Sequence, residues 1–84
     1  MNGMRRIETM DDLDSSQDAC WKDENGCWWV YLIGCGAGIL SNHNVEEHVD
    51  GSISVTPSIL MYGHKDGVPS KRHGFLVRGE WKDC

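Results

Sequence analysis

The chain has 84 residues, of which 39% are hydrophobic and 25% charged, and its net charge is −5. A chain of that length is one small domain, with a marginal core unless a metal, disulfides or self-association reinforce it. The acidic balance excludes the broad basic field that non-specific nucleic-acid binding needs, and no run approaches the roughly 18 apolar residues of a membrane-spanning helix.

Residues 1–19 carry Arg5 and Arg6 against Glu8, Asp11, Asp12, Asp14 and Asp18, a net −3, which leaves −2 for residues 20–84. This acidic stretch has no sustained hydrophobic period and reads as a flexible tail, with one helical turn around Thr9–Leu13 capped by Thr9. No apolar run follows Arg5 and Arg6, so no signal peptide is expected and the chain reads as cytoplasmic. Thiols stay reduced in that compartment, which points its four cysteines toward metal binding or inert burial rather than disulfides.

The folded part, residues 20–84, reads as mainly β, a small antiparallel sheet of about five strands joined by short hairpins. Asn25-Gly26 is a hairpin signal joining a strand at Ala19–Lys22 to Cys27-Trp28-Trp29-Val30-Tyr31-Leu32-Ile33. That second strand is dense in aromatic and β-branched residues, as a strand covered on both faces is. Gly34-Cys35-Gly36-Ala37-Gly38 reads as a glycine-rich turn. A strand over Val45–Val49 should return through Asp50-Gly51-Ser52, a three-residue loop that sets Val49 opposite Ile53 and keeps both on one face. Pro57 belongs at a strand end or edge, since it donates no amide hydrogen bond. Ile59 to Tyr62 continues the sheet, Gly63 to Ser70 reads as a loop, and Gly74 to Arg78 is a strand that turns tightly at Gly79 into Glu80-Trp81.

Metal-ligand side chains are plentiful: Cys20, Cys27, Cys35, Cys84, His43, His48, His64 and His73. None sits at the close C-x2-C or H-x3-H spacing of a zinc finger. In order, however, Gly34-Cys35-Gly36, the strand Ile53-Ser54-Val55-Thr56-Pro57-Ser58-Ile59-Leu60, and Arg72-His73-Gly74-Phe75-Leu76-Val77-Arg78-Gly79-Glu80-Trp81 resemble a family of small, largely phage-encoded domains of unknown function. The family pattern is a C-P-G-C or C-x-C-G turn, then T-x-S-P-S-[IL], then C-H-S-F-V-x-D-G-x-I. The resemblance runs from Tyr31 to Cys84 and matches at Cys35, Pro57, Ser58, His73, Phe75 and Val77. It implies a zinc-binding β domain, with a structural Zn2+ held by Cys35, His73 and Cys84 and with His43, ahead of His64, as the fourth ligand. Leu32 and Arg72 stand where the family has further cysteines. The same resemblance implies a phage accessory protein acting in the host cytoplasm.

Catalytic patterns are thin. Cys35 between glycines has no placed base, and the glycine run lacks the lysine and helix of a phosphate-binding loop. H-x2-E-E-H can be written from His43 to His48, so a metal-dependent hydrolase using Glu46 or Glu47 is the runner-up. Consecutive Trp28 and Trp29 must point to opposite faces of one strand, one into the core and the other into a second layer or a contact surface. Trp28, Trp29 and Tyr31, with Arg72 from the basic cluster, are therefore the candidate partner-binding residues. The leading expectation is a non-catalytic module that binds another protein. Nucleic acid, through Lys65, Lys71, Arg72 and Arg78, is a third and weaker reading.

Overall fold

A computed structural model describes residues 3–84. Eight strands form two four-stranded sheets. The first holds β1 (Arg5–Arg6), β2 (Ala19–Lys22), β3 (Trp28–Leu32) and β4 (Gly36–Ile39), side by side in that order. The second holds β5 (Asn44–Glu47), β6 (Ile53–Lys65), β7 (Val68–Val77) and β8 (Glu80–Asp83). The chain is mainly β, as its rhythm of strands and turns predicts, but it builds two sheets where one of five strands was expected. Every named pairing is antiparallel except β1 with β2.

Alternation along the strands explains the layering. Cys20, Val30 and Leu32 of the first sheet meet Ile53, Val55, Ile59, Leu76 and Trp81 of the second, with Leu40 from the connection, in one buried core. The opposite face of the first sheet carries Ala19 and Trp21, which Ile7 covers with help from Leu13, Trp29 and Tyr31. Trp28 packs toward the main core and Trp29 toward this second cluster, the two-sided arrangement that consecutive indoles on a strand require.

The boundary expected between residues 19 and 20 falls inside β2, and the segment before it is placed against the sheet. Arg5 and Arg6 pair with Ala19 and Cys20, and Ile7 is 3% exposed. Burying Ile7 contributes about 2 kcal/mol, and backbone bonds from the Met4, Arg5 and Ile7 amides with packing by Leu13 add to it in docking this acidic stretch. The turn at Met10–Asp12 forms with Thr9 as its cap, its hydroxyl accepting from the Asp11 amide.

Glycine position decides the second hairpin. The loop has three residues, but they are Val49-Asp50-Gly51, with Glu47 opposite Ile53 and His48 donating its amide to the Ser52 carbonyl. The left-handed residue of such a loop is its last, and Gly51, at φ +88°, fills that place. Val49, expected to pair with Ile53, sits at the exposed tip instead.

Two stretches read as loops are strands. Gly36–Ile39 pairs with Trp29–Leu32, and the missing side chain of Gly38 makes room for the Met61 methyl. From Gly63 to Ser70 the chain is a continuous hairpin, because Asp66 and Gly67, both at positive φ, make the two-residue turn that keeps Lys65 opposite Val68. Pro57 lies inside β6 at an irregularity between Val55 and Ile59 where three residues oppose one, so no ladder bond is lost to it.

Candidate functional site

The four residues implied as zinc ligands are not brought together. Across β7, Leu60 pairs with His73 and Met61 with Arg72, so His73 and Arg72 point to opposite faces. His73 lies on the outer face, and its Nε2 is 3.0 Å from the Ser58 hydroxyl. Cys35 lies on the core side, its Sγ 3.5 Å from the Met61 carbonyl and 3.8 Å from the Ser70 hydroxyl. The backbone of the second sheet stands between Cys35 and the rest of the set. His43, Cys84 and His73 do gather at one end of the outer face. His43 Nε2 donates to the Ser58 carbonyl at 3.1 Å, and the Cys84 amide donates to the His73 carbonyl at 3.0 Å. Among the described residues no group of three or more His, Cys, Asp or Glu side chains is placed to hold a metal ion. The tetrahedral donor set the resemblance implies does not fit this arrangement.

Of the two carboxylates of the hydrolase pattern, one is held by a residue outside it and the other is exposed. Glu47 accepts from Arg6 at 3.0 Å, Glu46 is 3.9 Å from His48, and His48 is held by the Ser54 hydroxyl at 2.7 Å.

The expected partner-binding residues are engaged within the molecule. Trp28 lies beneath Arg6, whose guanidinium carbon is 4.7 Å from the ring centre. Trp29 stacks on Trp21 at 6.2 Å with an interplanar angle of 7°, and its indole N–H donates to Asp23 at 2.9 Å. That bond, with backbone donors from Cys27, Asn25 and Gly26, holds the Asp23 carboxyl below its usual pKa. The Tyr31 hydroxyl donates to the Ser15 carbonyl at 3.1 Å. Arg72 forms a fork with Asp18 at 2.8 and 3.1 Å and lies over Trp81 at 4.9 Å. Arg72 therefore ties the two sheets together instead of facing solvent, and hydrogen bonding to Asp18 raises its pKa further.

A different surface is open. β5 pairs with β6 only as far as Thr56, and β8 pairs with β7 only from Gly74 onward. Beyond them, Leu60–Lys65 and Val68–His73 run on as a two-stranded arm whose core side rests on the turn between β3 and β4. Gly63 makes that rest possible: a side chain there would collide with the Gly34 carbonyl and the Cys35 backbone. The arm's outer side carries Leu60 at 48% and Tyr62 at 69% exposure. Phe75 and Val77 extend the same face along β7. Single exposed apolar residues are ordinary on any protein, whereas four neighbours on one uncovered face form a patch. His64, Lys71 and His73 surround its outer half, while Lys65, opposite Val68, lies on the other face.

This face was missed in the sequence because the arm reads as a loop. The signal was there: Asp66-Gly67 lies between two stretches that pair residue for residue, with Leu60 and Tyr62 on one parity and Met61 and Gly63 on the other. No helix of the described chain is long and apolar enough to cross a membrane. Compared with protein-family models, curated proteins and solved structures, the chain matches none.

Proposed function

We propose that this chain is a non-catalytic module that binds another protein through the outer face of the β6–β7 arm. What carries the reading is the adjacent exposure of Leu60 and Tyr62 on a sheet face that no other layer of the described residues covers, with Val77 exposed further along β7. Aromatic and aliphatic anchors in a polar rim are the usual composition of a protein-binding patch. The two arginine clips and the packed core provide a rigid base for the arm, which lowers the ordering cost of binding.

Photo-crosslinking tests the reading. Replacing Tyr62 by a photoreactive phenylalanine analogue should give one discrete adduct with another protein in cells that express the chain. The same analogue at the exposed hairpin tip Val49 should give none. Adducts of equal yield at both positions, or none at position 62, would reject the arm as the binding surface.

A further inference from the structure

We infer that the free edge of β6 takes an extended acidic segment of a partner protein as an added strand. This deepens the reading above and rests on it. In a two-residue hairpin the residues flanking the turn exchange both backbone bonds, so Lys65 and Val68, then Gly63 and Ser70, then Met61 and Arg72 face each other. The intervening residues must then point their amides and carbonyls outward. The Cys84 amide confirms that parity by bonding the His73 carbonyl from the far side of β7.

The two edges of the arm differ. On β7 the outward positions are Pro69, which has no amide hydrogen, Lys71, and His73, whose carbonyl is taken by Cys84. Proline and lysine are the residues that blunt a sheet edge against pairing. On β6 the outward positions are Leu60, Tyr62 and His64, and among the described residues their backbone groups have no partner. No proline interrupts them. β5 stops pairing at Thr56 and His43 holds the Ser58 carbonyl, so an open row begins where β5 leaves off. A strand laid there would make main-chain bonds for affinity and set alternate side chains beside Leu60 and Tyr62 for specificity, the strand-addition mode of peptide recognition.

Charge selects the occupant. Residues 60–73 hold Lys65, Lys71 and Arg72 against Asp66 alone, in a chain whose net charge is −5. Arg72 is neutralised by Asp18, which leaves Lys65 and Lys71 without an acidic partner among the described residues. A second copy pairing edge to edge would bring both lysines of each arm into one sheet. An extended segment alternating apolar and acidic residues would instead place apolar groups beside Leu60 and Tyr62 and its carboxylates on the opposite face, the face of Lys65.

The probe is a blocked peptide of about nine residues, long enough to span the edge, alternating valine and glutamate, with a valine–lysine peptide as control. Titrated into the full chain, the acidic peptide should slow amide hydrogen exchange at Leu60, Tyr62 and His64 and leave Lys71 unchanged. Tyr62→Pro removes one outward donor and Lys65→Glu reverses one charge; each should weaken binding by about tenfold or more. The exchange measurement needs no variant, so it decides the matter even if Tyr62→Pro does not fold. Equal affinity for the lysine peptide would overturn the proposal. So would amide protection that grows with protein concentration in the absence of peptide, because the occupant would then be a second copy. Shifts of the Leu60 and Tyr62 side-chain signals without amide protection would overturn strand addition and leave the arm as a binding face. No response to either peptide also overturns the inference, and if no adduct forms from position 62 the underlying reading falls with it.

Discussion

Arg72 and Asp18, 54 residues apart, meet in a two-bond fork that joins the end of the N-terminal segment to β7. Asp18 Oδ1 also accepts the Ile33 amide at 2.9 Å, and the guanidinium of Arg72 lies over Trp81. Arg6 makes the reciprocal connection from the first sheet, donating to Glu47 and to the Gly51 carbonyl while covering Trp28. Each sheet thus sends one arginine across an indole to the other.

The planar fork predicts that Arg72→Lys is not conservative, since an ammonium reproduces neither the paired bonds nor the stacking on Trp81. Arg72→Ala should destabilise the fold by roughly 2–3 kcal/mol, with Arg72→Lys recovering less than half of that loss. Asp18→Ala should cost at least as much, because it also leaves the Ile33 amide without its acceptor. Urea unfolding of the single and double variants would give the coupling energy. Strict additivity would show that the fork contributes nothing to joining the sheets.

Gly63 and Gly67 offer a matched comparison. A methyl group at Gly67 meets nothing within 4 Å and suffers only from its backbone, at φ +79°, so Gly67→Ala should cost about 1–2 kcal/mol. At Gly63 the methyl group runs into the Gly34 carbonyl and lies 2.6 Å from the Cys35 Cα, backbone that cannot swing aside. Gly63→Ala should therefore cost roughly 3 kcal/mol or more and loosen the arm from the β3–β4 turn. Thermal melts of the two variants would rank them, and equal losses would mean that the arm does not rest there.

Much of this fold could be read locally. Ala19–Lys22 and the tight turn at Gly79 follow from short-range pattern alone. The two stretches that differ share a physical cause, since glycine-rich sequence reads as turn or loop. Gly38 and Gly63 instead mark places where another chain segment comes close, which only tertiary packing reveals. The expected loop sets Gly51 in the middle instead of at the end, where its positive φ belongs, and that single step moves Val49 from the sheet to the tip. Pairing of Arg5 and Arg6 with β2 is likewise invisible locally, because a parallel partner lies beyond a crossover. The candidate site suffered most. Trp28, Trp29, Tyr31 and Arg72 have the chemistry of binding residues, yet groups within the molecule, from nearby Asp23 and Trp21 to distant Arg6 and Asp18, already occupy them. Leu60 and Tyr62 became visible only once the arm beyond β5 and β8 was laid out.

Acid should unfold this protein through its turn carboxylates. Asp23 is depressed chiefly by the Trp29 indole donor, and Asp14 and Asp50 by the hydroxyls of Ser16 and Ser52. A carboxyl whose pKa is lower in the folded state stabilises that state fully above its unfolded value of 3.8, and the contribution is lost as pH falls through the folded value. The melting temperature should hold down to about pH 5 and fall below pH 4. Asp23→Asn should lower it at neutral pH and flatten the acid slope. In NMR, the Trp29 indole proton should titrate with a midpoint below 3.8. A midpoint above that value would break the link between Asp23 and Trp29.

At the other end of the pH range the sensitive group is Cys20. It is 2% exposed among Val30, Leu32 and their neighbours, and burial pushes its thiol pKa up to about 11 from 9.0, against a smaller opposing pull from Arg6. Above pH 9 the unfolded chain gives up this proton while the folded chain keeps it, so stability falls as pH rises and the loss accumulates until the folded group also ionises. Across that window the cost reaches roughly 2–3 kcal/mol. Cys20→Ala should remove this alkaline slope, although the lost packing lowers stability at pH 7. The same burial orders the thiols by reactivity. Cys84 is exposed and should be alkylated at once at pH 8, while Cys20 should react only as fast as the core opens. Peptide mapping after timed iodoacetamide treatment would show the order. Prompt labelling of Cys20 would mean that the two sheets do not stay closed over it.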